Sequence, residues 1–119
     1  MIAAAGLFDL GFALFHLAFW RLWAWPATLK PSGDLNAAIT QTLNIVLLYL
    51  FAATGLLLIA APEAVETSVA GRAFLGIWTG FWLLRAALQP LLFGLDHKMS
   101  RAIFALFLLG GVLHAVPLL

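Results

Sequence analysis

The sequence predicts an all-α fold: an integral membrane antiparallel four-helix bundle with four transmembrane helices. Three observations predict it. Of the 119 residues, 65% are hydrophobic and 9% charged, whereas a soluble domain carries about 45–50% apolar and about 25% charged residues. The apolar residues fall in four long runs, and a hydrocarbon core about 30 Å thick needs ~20 residues of helix per crossing. The connections between the runs are short and polar, which makes consecutive helices antiparallel neighbours.

The first run, 2–25, has no cationic segment ahead of it and reads as a first span, not as a cleaved signal peptide. Trp20, Trp23 and Trp25 cluster at its end as an interfacial aromatic belt would, and Arg21 is placed to snorkel to the headgroups. Pro26 and the Lys30–Asp34 segment break the run, and Asp34 is a candidate N-cap for the second span, 35–61. No charged residue lies between Asp34 and Glu63. After a connection from Pro62 to Ser68, Thr67 or Ser68 is expected to cap the third span, 69–93, which closes at Gly94 in the C′ position. Asp96 to Arg101 form the third connection, and the fourth span covers 102–119. The whole chain, 1–119, reads as one transmembrane domain.

Loop cations suggest an orientation. Arg21, Lys30, Lys98 and Arg101 flank the first and third connections, whereas Arg72 flanks the second beside Glu63 and Glu66. The positive-inside rule then puts both termini on the non-cytoplasmic side.

The polar residues inside the runs are few and regularly placed. His16 lies nine residues before Trp25, Asn44 nine after Leu35 and Arg85 nine before Gly94. At 1.5 Å per residue each sits about 13 Å along its helix. Trp20, Thr40, Gln41 and Gln89 form a tier nearer the connections, and at about 100° per residue Trp78, Trp82, Arg85 and Gln89 share a face. A charge well inside a span costs roughly 2.5–3.5 kcal/mol and so tends to mark a role. Two readings follow. Asn44, Gln41 and His16 can be interhelical glue, or Arg85, His16, Asn44, Gln41, Gln89, Trp20 and Trp82 can line a cationic pocket for a polar or anionic ligand. Asp9, the only carboxylate within the spans, is seven residues from His16, about 10 Å away; an arginine with no acid at its level invites an anion, a lipid phosphate or a partner's carboxylate.

Gly76-Ile-Trp-Thr-Gly80 is a G-x-x-x-G element that lets helices approach closely, either against a neighbour within the monomer or, as the expected interface, in a homo-oligomer or a larger membrane complex. Gly110 and Gly111 offer a second close approach. Phe104, Phe107 and Leu108 give the fourth span a greasy wall at the depth of the polar residues.

Several classes are excluded. The chain has no cysteine, and His16, His97 and His114 stand in no metal-ligand spacing, so no metal and no cofactor is expected. Paired carboxylates, a nucleophile elbow, a phosphate-cradling loop and a zincin motif are all missing, which argues against an enzyme. A net charge of +1 gives no nucleic-acid footprint. Asp9 lacks the flanks of the small multidrug transporters, and the motifs of the small fluoride channels are missing. The Phe15-His16-Leu-Ala-Phe-Trp20 segment, with Asn44 and Arg85, resembles small bacterial inner-membrane proteins; the resemblance implies a location and adds no chemistry.

Three functions remain open. The first is a membrane protein whose polar site binds or moves a small polar or anionic ligand. The second is an accessory or assembly subunit of a membrane complex. The third is a quinone or redox-site protein.

Overall fold

The computed structural model describes all 119 residues, and it is all-helical, with no strand. The elements are α1 (Ile2–Leu17), α2 (Phe19–Leu22), a 3-10 turn (Ala27–Ser32), α3 (Asp34–Ala60), α4 (Pro62–Thr67), α5 (Val69–Leu92), α6 (Lys98–Ala115) and a closing 3-10 turn (Val116–Leu118). Two segments are long and apolar enough to cross a membrane: α3, with 27 residues, and Lys98–Leu118, with 21. The helix α1 is apolar but has only 16 residues. The 24 residues of α5 are long enough, but Arg72, Arg85 and Gln89 interrupt its apolar run.

The chain divides into two compact units, Gly6–Leu57 and Met1–Ala5 with Leu58–Leu119. In Gly6–Leu57, α1 and α3 pair antiparallel. Trp20 meets Gln41, His16 meets Asn44 and Asp9 meets Thr54, so descending one helix ascends the other. Phe12 and Phe51, both buried, pack at 5.8 Å between the polar pairs. At Gly55 the two backbones approach so closely that an added Cβ would stand 2.7 Å from the Gly6 carbonyl and 2.8 Å from Leu10 Cγ.

The α-helical run expected to reach Trp25 is interrupted at Ala18 and resumes as a single turn. No proline or glycine sits there to account for it. Asn44 Nδ2 donates to the His16 carbonyl at 2.9 Å, drawing on the acceptor that an unbroken helix reserves for the amide of Trp20. Ala24 follows at φ 52°, the Trp25–Pro26 bond is cis, and Gly33 at φ 90° ends the 3-10 turn before α3. Asp34 occupies the first turn of α3, so its charge favours the positive end of the helix.

In the second unit, Ile2, Ala5, Leu58, Val65 and Leu75 form an apolar core. The connection after α3 is itself a short helix with Pro62 at its start, where a missing N–H costs nothing. Ser68 caps α5 by accepting from the Gly71 amide. Helix α5 buries Leu75, Trp78, Trp82, Ala86 and Gln89, spaced by threes and fours, against α6. Gly94 ends it at φ 70°, as its C′ position requires, and α6 starts at Lys98, earlier than the expected fourth span. Gly110 and Gly111 are buried, and an added Cβ on Gly111 would come within 2.9 Å of Leu83. This second close approach therefore lies within the chain, between α5 and α6.

Candidate functional site

The seven residues expected at the site fall into two clusters, one in each unit. In Gly6–Leu57, His16 with Asn44 and Trp20 with Gln41 answer one another donor for acceptor. Asn44 Nδ2 donates to the His16 carbonyl, which fixes its amide, so Asn44 Oδ1 faces His16 Nδ1 at 2.7 Å and that nitrogen carries the proton. Trp20 Nε1 donates to Gln41 Oε1 at 3.1 Å, and Gln41 Nε2 donates back to the Ala37 carbonyl. The His16 ring stacks on Phe19 at 4.6 Å and lies against Phe51 at 5.2 Å.

A third pair was not foreseen. Asp9, fully buried, accepts from Thr54 Oγ1 at 3.1 Å, with the Leu50 carbonyl as the alternative acceptor of that hydroxyl at 2.8 Å. The signal available was positional: Asp9 lies seven residues from His16, on the same helical stripe.

The second cluster is built on α5 and α6. Arg85 Nη1 donates to Gln89 Oε1 at 3.1 Å, one turn further along α5. Gln89 is 3% exposed and donates through Nε2 to Ser100 Oγ at 2.9 Å, and Ser100 in turn donates to the Gly94 carbonyl. The direction of every bond in this chain is therefore fixed, and the acceptor end of Gln89 is held toward the guanidinium. Beneath the cation, the Phe107 ring centroid lies 4.2 Å from Arg85 Cζ, with Phe93 at 5.4 Å. Phe107 was expected as apolar wall and serves as a cation–π floor, an interaction of about 0.5–2 kcal/mol. Trp82, fully buried, stacks on Phe107 with centroids 6.0 Å apart. Trp82 thus supports the site through Phe107.

No carboxylate faces Arg85, and Gln89 takes one of its five N–H donors. The cluster positions a permanent cation without neutralising it. Such a fork is suited to two oxygens of a phosphate or carboxylate. Ser100, which closes the chain of bonds, was missed from sequence because it falls in what reads as a polar connection.

His97 stands at the N-cap of α6 and accepts from the Met99 amide, while buried His114 uses Nδ1 within its own helix, on the Gly110 carbonyl. No group of His, Cys, Asp and Glu residues is arranged to hold a metal. Gly76 and Gly80 are exposed, and a Cβ added at either would meet nothing within 4 Å. No family model, curated protein or solved structure matches the chain.

Proposed function

We propose that this chain is a small integral membrane protein, with α1, α3, α5 and α6 as its spans, that binds a polar or anionic ligand at Arg85. The observation that carries the reading is a cation positioned by Gln89 and Phe107 with no acid to balance it. A purely structural arginine would be cheaper to keep beside a carboxylate. The apolar outer surface supports a bilayer location: Leu35, Ile39, Leu43, Val46, Leu50 and Leu57 of α3 are all exposed, and water would penalise such a surface. The distribution of loop cations favours an orientation with both termini non-cytoplasmic. Arg85 serves as charge anchor and Gln89 as its orienting group. Assembly into a homo-oligomer would use the open Gly76 and Gly80 face.

Native mass spectrometry in mild detergent tests the ligand. Bound anionic mass on the wild type, lost in Arg85→Gln, is expected; an equal load on both proteins would reject the site. Docking onto a larger complex is the competing reading, and it predicts that Arg85→Gln sheds another chain instead of a small anion. Retention in the membrane pellet after an alkaline wash tests the location.

A further inference from the structure

We infer that the anion is the phosphate of an anionic phospholipid, held where α5 turns into α6. This rests on the proposed anion site at Arg85 and names its occupant. The first observation is direction. Helical side chains ordinarily lean toward the N-terminus of their helix, but Arg85 folds the other way, onto Gln89 and over Phe93, toward the turn at Gly94. Arg85 Cα is seven residues short of Leu92, the end of α5, about 10 Å along the axis. Folding toward the turn brings the charge nearer to the level at which headgroups begin, as snorkelling requires.

The second observation is the charge of the turn. Lys98 and Arg101 occupy the first turn of α6 with no acid there, at the positive end of the helix dipole. Both are exposed, as are Asp96 and His97, and Asp96 is the only acid of the turn. Two cations at that end of a helix are unfavourable unless anions stand beside them. An anionic bilayer surface supplies such anions.

The third observation is what surrounds the charges. Leu91, Leu92, Phe93 and Met99 are between 62% and 76% exposed. A free anion in water has no use for that collar, whereas a phospholipid presents acyl chains to it and phosphate oxygens to the cations. Phosphate oxygens suit the Arg85 fork, whose remaining N–H donors are held in place by the Gln89–Ser100–Gly94 chain.

The test is native mass spectrometry of the full chain in a neutral detergent, with phosphatidylglycerol, phosphatidylcholine and inorganic phosphate as separate probes. The wild type is expected to prefer phosphatidylglycerol over phosphatidylcholine. Arg85→Gln is expected to lower phosphatidylglycerol affinity about tenfold, and Arg101→Gln about fivefold. Gln89→Glu places a carboxylate against the guanidinium and is expected to mimic Arg85→Gln. Arg101 is exposed, so its variant keeps the test valid should substitutions at the clamp impair folding. Arg85-dependent binding of inorganic phosphate without any preference between the lipids would overturn the lipid inference and leave the anion site standing. A preference for phosphatidylglycerol that survives both arginine substitutions would overturn the lipid inference as well. If neither phosphate nor phosphatidylglycerol binds, both the inference and the anion site fall.

Discussion

The two units treat polar residues in opposite ways. In Gly6–Leu57, Trp20–Gln41 and His16–Asn44 are matched pairs along an antiparallel helix pair, and Asp9–Thr54 adds a third contact in the same register. In the unit that holds α5 and α6, Gln89 and Ser100 are also matched, but their chain of bonds ends on a guanidinium that no acid balances. Hydrogen bonds between neutral side chains across membrane helices average about 0.6 kcal/mol and need no ligand to explain them. A permanent charge does. Within one apolar chain, the distinction between seam and site lies in whether a fixed positive charge is left with no acid beside it, not in how many polar residues there are.

The comparison makes graded predictions, given from the largest effect on stability to the smallest. Gly55→Ala drives a Cβ against the Gly6 carbonyl and Leu10, and should destabilise by about 3 kcal/mol, the upper end for overpacking against backbone. Thermal melting in detergent reads it, and a loss below about 0.5 kcal/mol would mean the α1–α3 approach is looser than described. Asn44→Leu removes two bonds to His16 and strands a ring N–H, which should cost about 2 kcal/mol and leave anion binding unchanged. Thr54→Val keeps the shape but not the hydroxyl facing Asp9, and a loss of about 1 kcal/mol is expected in the same melt. Ala24 holds a left-handed φ of 52°, so Ala24→Gly should stabilise by up to about 1 kcal/mol. Arg85→Gln should cost least in neutral detergent, about 0.5 kcal/mol, because removing an unbalanced charge offsets part of the lost cation–π attraction, while lowering phosphatidylglycerol affinity about tenfold.

Much of this was legible in the sequence because it is local. The apolar runs gave the helices, Ser68 and Gly94 carried their own capping chemistry, and three- and four-residue spacing put Trp78, Trp82 and Gln89 on one buried stripe. The misses were non-local. Nothing near Ala18 announces a helix break, and the bond that accompanies it, from Asn44 to the His16 carbonyl, comes from 28 residues away. Asp9 looked solitary because Thr54 is 45 residues away. Phe107 has the composition of a lipid-facing wall, and only the pairing of α5 with α6 turns its ring into the floor under Arg85.

The central claim is that the α1–α3 seam holds the fold while Arg85 holds a ligand. Melting Asn44→Leu and Arg85→Gln side by side, in neutral detergent with and without phosphatidylglycerol, tests it most directly. The account predicts that Asn44→Leu melts lower yet keeps the lipid-dependent rise of the wild type, and that Arg85→Gln melts near the wild type without lipid and loses that rise. The reverse pattern, a lipid response lost with Asn44 and kept without Arg85, would contradict it.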